Sequence, residues 1–471
     1  MSHITAALRV LDEVASRSDP TAPITVGELA RSLGITLSTA SRLCSELTSR
    51  GLLARAEPYG AYRIGESAVG LSGAAASPFA HAVRFALTLV GQQTGEAAFL
   101  AVPTGGALRI VASVEAIWTL HSPAEVSEAI VDADSASLRA AAASDDRSEG
   151  PRLYESTAGE SLEVATPVRA HDGECIAVVG VRFPAHRAAT AARAQRAVTV
   201  AARHIERALE DWLLVPAGRP PLPPAPADRP TSLDGALRIL RHLAAGSDTV
   251  AGIAKATGLR SATATRLIDS CRRAGFVIAG AEQGHLQLSW RMHGWHRSTR
   301  IPTLTAEGRE RVAAVAVRTA TCGFVTVLKG MRSFTIIEEL EMVSEGLAMI
   351  PWRGRSHPIV GSDGGPTMLM DFSPEELRQL FPSRHTERDL RRLVDRAKRV
   401  RREGLLAMEA FDDGGMLSVS APVRDASGTV CAAACLVATM DYASAHLEQI
   451  SRETVRLADD LSRLLQSGAA G

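Results

Sequence analysis

An internal repeat constrains this chain more than any other feature. Residues 38–51 read STASRLCSELTSRG, and residues 262–275 read ATATRLIDSCRRAG. Thr25, Val26, Ala30, Gly34, Thr39, Ala40, Arg42, Leu43, Gly51 and Gly60 each recur as the same residue type 224 positions later. Self-similarity on this scale means that a whole domain is written twice. Between the copies lies VPAGRPPLPPAPADRP, residues 215–230, with seven prolines. Proline fixes φ and removes a backbone donor, so the run reads as an extended linker. It divides a chain of 471 residues, too long for one ordinary core, into two unequal halves.

The local patterns in each half agree. ITAALRVLDEVAS (4–16) puts Ile4, Ala7, Leu8, Leu11 and Val14 on one helical stripe. TVGELARSLGI (25–35) predicts a short helix with Thr25 and Glu28 as a capping box and Gly34 as its stop. After a short turn, LSTASRLCSELTSRG predicts a helix ending at Gly51. LLARAEPYGAYRI then gives two β-like runs bent at Tyr59–Gly60. Helix, helix, turn, helix, hairpin is the order of a winged helix-turn-helix. The second half repeats it with helices over 233–245, 249–259 and 261–275 and a hairpin over 276–288, its tip at Gly284.

The remainders also correspond. VATPVRAHDGECIAVVGV (164–181) matches VSAPVRDASGTVCAAACL (419–436), each a hairpin turning at Asp172–Gly173 or Ser427–Gly428. Strand pairs over 94–114 and 321–340, each behind an apolar helix, precede them. The expected fold class is α+β: two winged helix-turn-helix domains, each followed by an α/β domain on an antiparallel sheet. Boundaries are expected at 1–75, 76–214, 215–230, 231–300 and 301–471.

The stretches ALRVL…ELARSLGITLSTASRLCSELTSRGLL and SPEELRQLF…VRREGLLAME…SVSAPVRDASGTV resemble the IclR family of bacterial transcription regulators. The resemblance covers nearly all of the chain except the proline linker. It implies that the α/β domains are sensing domains, that the partners are a double-stranded DNA operator and a small organic effector, and that no cofactor is needed. Ordinary members carry one copy and dimerise, so the tandem copies imply a fused pseudo-dimer. Pairing of two whole chains stays open. By the same resemblance, effector-facing positions fall on the loop VGSDGGP (360–366), at Gly361, Ser362 and Asp363, and on Met408, Ser418, Cys435 and Val437. Met408, Cys435 and Val437 depart from the acidic and serine residues common there, which makes the cup more apolar than a small-acid sensor needs. The first sensing domain is abbreviated: 22 residues separate SASLRAAAAS from Pro167, against 49 between GPTMLMDF and Pro422. The segment matching LRRLVDRAKRVRREG is missing, so a structural role is expected for that domain and the effector is expected in the second.

A recognition helix needs small polar or basic side chains near its start, where base edges come within reach. In copy one these are Ser38, Thr39, Ser41, Arg42 and Ser45; in copy two they are Arg260, Thr263, Thr265, Arg266 and Asp269. Net charge over the whole chain is zero, so any basic surface is local. Residues 231–300 hold ten basic and four acidic side chains, whereas residues 1–75 hold seven of each. Copy two is therefore the expected electrostatic anchor. The basic run 391–403 reads as a solvated face of an amphipathic helix.

Enzyme readings fare poorly. VGSDGG has Val360 where a nucleophile elbow needs Gly. Cys431 and Cys435, four apart in a strand, are expected on one face as buried small hydrophobes. His293 and His296 in HGWH lack a partner cluster for a metal. No secretory leader or run of 18 apolar residues is evident, and the six cysteines form no C-x-x-C pair, so a cytoplasmic protein with no membrane partner is expected. The alternative from another class is a sensor or enzyme that uses its winged helices only to dimerise.

Overall fold

The computed structural model describes residues 2–143, 153–170, 172–213, 231–280, 282–340, 350–359, 361–381, 385–410 and 415–467. The linker expected at 215–230 and the loop residue Val360 lie outside these. Head one comprises helices His3–Ala15, Val26–Leu33 and Leu37–Thr48. A three-stranded antiparallel sheet completes it, ordered Ile24–Thr25, Ala61–Ile64, Leu53–Ala56. Head two repeats this with helices Ser232–Ala245, Val250–Thr257 and Ser261–Arg273 and strands Asp248–Thr249, His285–Leu288 and Val277–Ala279.

The ends of these helices follow from local chemistry. Thr25 Oγ1 accepts the Glu28 N–H at 3.2 Å, and the Glu28 carboxylate accepts the Thr25 N–H at 2.8 Å. The helix stops at Gly34, whose φ of +62° only glycine adopts at little cost. Replacing Thr25 with Ala is expected to cost about 1 kcal/mol, read as a lowered urea midpoint at unchanged slope.

The two heads are not separate bodies. Leu8, Leu11 and Val14 of head one share a single apolar core with Leu237, Leu240, Cys271 and Phe276 of head two. The first helix of head one packs against the back of the recognition helix of head two. Thr5 Oγ1 donates to the Ser270 carbonyl at 3.2 Å, and Trp295 Nε1 donates to Ser16 Oγ at 3.3 Å. Two ion pairs cross the seam: Arg50 with Asp234, at 2.5 and 3.0 Å, and Arg291 with Asp12, at 2.5 Å. By the repeat, the counterparts of Arg50 and Asp234 are Ala274 and Val10, and those of Asp12 and Arg291 are Ala236 and Ser67. Neither pair exists twice, so the seam is specific for one head of each kind.

A connecting helix follows each head. In the first half it is one element, Glu66–Thr94; in the second it is broken into Trp290–Gly294, Trp295–Thr303, Leu304–Gly308 and Arg309–Thr319. Ser72 and His296 stand 224 positions apart, and Ser72 Oγ lies 2.9 Å from His296 Nδ1. A residue bonded to its own counterpart marks a local two-fold axis.

Each half ends in a six-stranded antiparallel sheet. The first is ordered Ala129–Ile130, Ala107–Val114, Ala97–Thr104, Cys175–Pro184, Ser161–Arg169, Tyr154–Ala158. The second is ordered Ser356–Pro358, Arg332–Glu339, Cys322–Lys329, Val430–Thr439, Met416–Arg424, Leu406–Glu409. The long helices Ala191–Leu213 and Leu447–Ser467 pack on one face of their respective sheets. The opposite face of each forms a cup. The second cup is roofed by Gly365–Met368, Pro374–Leu380 and Glu387–Glu403, the last burying Leu393, Ala397 and Val400.

One expectation from strand parity fails. Cys435 faces the cup, but Cys431 packs against the helix-side core. The ladder pairs Val423 with Ala432 and Arg424 with Val430, so Cys431 is the extra residue of a bulge, and parity inverts there.

Candidate nucleic-acid interface and ligand cup

The two recognition helices present matched faces. On head one, Ser38, Ser41, Arg42 and Ser45 are exposed and Thr39 is half-buried. On head two, Arg260, Thr265, Arg266 and Asp269 are exposed and Thr263 is half-buried. The inward stripes, Ala40, Leu43, Cys44 and Leu47 against Ala264, Leu267, Ile268 and Cys271, are buried. Helical periodicity therefore turns all ten candidate residues outward together.

The helix starts differ. Thr36 Oγ1 accepts the Thr39 N–H at 3.3 Å, so Thr36 is committed to the cap. Arg260 holds the equivalent place without a side-chain cap bond. Two wing residues, Arg55 and Tyr59, were not among the DNA-facing positions read from the sequence. Both are exposed, and Tyr59 is 95% exposed at the wing tip. An aromatic residue in a turn that needs none was the available signal.

The cup of the second sheet gathers the predicted effector-facing residues. Met408 stands opposite Ser418, Ser418 opposite Val437, and Val437 opposite Cys322. One step along, Ser420 stands opposite Cys435 and Cys435 opposite Phe324. The loop bearing Gly361, Ser362 and Asp363 lies on this floor. A Cβ added at Gly364 would come within 2.4 Å of Thr326 Oγ1 and 3.4 Å of Cys435 Sγ. Ser420 Oγ donates to the Asp363 carbonyl at 3.2 Å.

Two hydroxyls in this cup, on Ser362 and Ser418, are buried without a hydrogen-bond partner, while the Thr326 hydroxyl meets the Cys435 thiol. An unmade buried hydrogen bond costs roughly 1–3 kcal/mol, so two on one floor call for a polar partner. Phe324, Met416 and Cys435 supply apolar surface beside them, and burial pushes the Cys435 thiol well up from its ordinary pKa. Phe85 and Leu89, from the connecting helix of the first half, join the same cluster. Thr326 was legible by strand alternation; Phe85 and Leu89, more than 200 positions upstream, were not.

The first cup is closed from within. The ladders place Glu163 and Arg182 where the second sheet has Ser418 and Val437. Arg182 Nε donates to Glu163 Oε2 at 2.8 Å, and the Ser137 N–H donates to Glu163 Oε1 at 2.9 Å. The Phe99 ring lies 5.0 Å beneath the Arg182 guanidinium and fills the space that a side chain at Gly180 would need.

His293 and His296 are buried at the junction of the connecting helices, His293 stacked 5.0 Å from Trp290. Burial holds both well below the ordinary histidine pKa, so both are neutral. Among the described residues no helix is long and apolar enough to cross a membrane.

Two winged helix-turn-helix heads thus share one core, and each leads into a curved antiparallel sheet domain. Residues 4–63, head one, match the MarR family. Three solved structures are similar in fold. An IclR-family transcriptional regulator from a Rhodococcus species is 19% identical, with a TM-score of 0.37, over 51% of this chain and 96% of that one. Pseudomonas aeruginosa HmgR is 17% identical, with a TM-score of 0.36, over 51% and 99%. The repressor BlcR of Agrobacterium tumefaciens is 20% identical, with a TM-score of 0.33, over 51% and 98%. No curated relative matches by sequence.

Proposed function

We propose that this chain is a sequence-specific DNA-binding regulator that carries both reading heads itself, and that a small organic effector in the second cup modulates its operator binding. The observation that carries the reading is the pair of matched outward faces, Ser38 to Ser45 and Arg260 to Asp269, on heads joined through one core. The working units are 1–75 and 231–300 as heads and 76–214 and 301–471 as sheet domains, joined by 215–230.

The DNA site is expected to be asymmetric. A homodimer presents identical helices and favours a palindrome. Here Ser38 faces Ala262 across the repeat, Ser41 faces Thr265, Ser45 faces Asp269 and Thr36 faces Arg260. Asp269 repels phosphate but can accept from a cytosine amino group, whereas Ser45 makes a less selective contact. Each discriminating contact is worth roughly 1–3 kcal/mol, enough to set different bases in the two half-sites. Selection of binding sites from random DNA is the test. Failure to enrich any sequence removes DNA recognition, and a perfect palindrome removes the asymmetry.

The orphan hydroxyls of the second cup, against the ion pair filling the first, support the second as the effector site. A thermal-shift screen of small organic compounds should give hits that Ser418→Val abolishes. Hits that survive it, but are lost when Glu163 and Arg182 are changed together, would move the effector to the first cup.

A further inference from the structure

A cleft of about 610 Å³ lies between the two halves, separate from both cups. Its walls come from the first connecting helix (Val83, Leu87), the second (Arg297, Leu304) and the second sheet (Val327, Phe334). Val327 and Leu304 belong to the helix-side core of that sheet, so the cleft opens on the face away from the cup.

The charges around it do not balance. Lys329 and Glu115 pair with each other at 2.6 Å. Glu125 sits exposed at the rim. Three arginines from two helices remain. Arg300 meets Asp425 through Nη2, and its buried Nε has no acceptor. Arg84 donates through Nη2 to the Met368 carbonyl; its buried Nη1, 3.7 Å from Asp371, makes no hydrogen bond. Asp371 is shared with Arg424, at 3.2 Å. Arg297 has no carboxylate within ion-pair distance among the described residues. Its Nη1 donates only to the carbonyls of His293, at 2.6 Å, and Val111, at 3.3 Å. Four guanidinium groups thus surround two carboxylates, Asp371 and Asp425.

A cation taken out of water is costly unless an anion meets it. Burial, with Arg300 alongside, holds the Arg297 pKa down to about 9. A guanidinium kept beside an open cleft at that cost needs an anionic occupant. The rest of the lining, with Val83, Leu87, Leu304 and Val327, is apolar. Ligand sites combine such walls with a few convergent polar groups, and a guanidinium fork matches a carboxylate in two parallel bonds.

We propose that the cleft between the halves binds an organic carboxylate with an apolar body, its carboxylate meeting Arg297 and Nη1 of Arg84, which lacks a hydrogen bond, and its hydrocarbon part lying against Val83, Leu87, Leu304 and Val327. The site goes beyond the effector cup and requires both halves of the chain.

Benzoate is the probe, titrated calorimetrically into the full chain, with benzamide as the uncharged isostere and inorganic phosphate as the bare anion. Benzoate is expected to bind at least about tenfold more tightly than benzamide, because only the anion satisfies the guanidinium groups. Arg297→Gln should weaken benzoate by at least about tenfold. Benzoate held in the cup would be indifferent to that change, so undiminished binding overturns the proposal. Equal affinity for benzamide, or no binding of benzoate, overturns it too. Phosphate binding that Arg297→Gln removes, without benzoate binding, makes the site one for inorganic anions and overturns the carboxylate class. Should Arg297→Gln fail to fold, Arg297→Lys keeps the charge without the fork, and the benzoate-to-benzamide ratio of the unaltered chain decides.

Discussion

Replacing Asp425 with Ala lowers the stability of the chain by roughly 3–5 kcal/mol, the usual loss when one member of a buried ion pair is removed. Asp425 is 1% exposed and sits in the turn between the two long strands of the second sheet. Its Oδ1 accepts from the Ser427 N–H at 2.8 Å and from the Ser427 hydroxyl at 2.6 Å, which fixes the turn. Its Oδ2 meets Arg300 and lies 3.8 Å from His296 Nε2. The same turn presses on the first connecting helix: a Cβ at Gly73 would come within 2.3 Å of the Ala426 backbone. Asp425→Ala therefore loosens the turn and strands Arg300. Asp425→Asn keeps one acceptor oxygen for the turn while its amide nitrogen replaces the oxygen that meets Arg300, so it should cost less.

The same residue sets an acid limit. Burial alone would raise the Asp425 pKa; Arg300, foremost among the opposing groups, brings it down to about 2, from an ordinary 3.8. A depressed carboxylate stabilises the fold fully above its unfolded pKa and loses that contribution as pH falls through the folded value. About 2 kcal/mol should therefore disappear between pH 4 and pH 2. Urea unfolding across that window is the measurement. Asp425→Asn should lack this part of the acid sensitivity; an unchanged profile would show that the charge plays no part.

Arg266→Ala is expected to weaken binding to the selected DNA site by about tenfold or more, and Arg42→Ala by less. Both arginines are exposed at the same point of their helices, so reach does not separate them. Their surroundings do. Residues 231–300 carry a net charge of +6, ten basic against four acidic, whereas residues 1–75 are neutral. Phosphate neutralisation supplies much of the affinity of any DNA complex, so the head in the positive field has more to lose. Affinities at several salt concentrations separate the contributions: a lost phosphate contact lowers the salt slope by about 1, whereas a lost base contact leaves it unchanged. Equal losses for both variants at matched salt would remove the electrostatic distinction.

What the sequence disclosed was local. Thr25 and Glu28 announce a helix start because both partners of the box lie within one turn. Gly34 and Gly258 announce stops because positive φ is a property of one residue. Ser418, Cys435 and Val437 came from the family resemblance, and the ladder sets them on one face. What it hid depends on contacts between distant segments. Nothing near Leu11 says that it packs with Leu240, and nothing near Phe85 says that it closes the cup of the other half. The shortened first domain was visible as a length difference. The ion pair filling its cup was not, because Glu163 and Arg182 lie 19 positions apart and only the ladder sets them opposite each other. Cys431 failed for a third reason: a bulge is one residue of surplus, and alternation cannot count it in advance.

Two heads on a single core within one chain make their association unimolecular. A reader assembled from separate subunits falls apart on dilution, and its occupancy of DNA rises with the square of subunit concentration in that regime. Here the paired heads persist at any dilution, and occupancy by a single chain rises with the first power. Scarce molecules remain complete readers. A damaged chain, moreover, cannot capture an intact one through head pairing, because each head already has its mate.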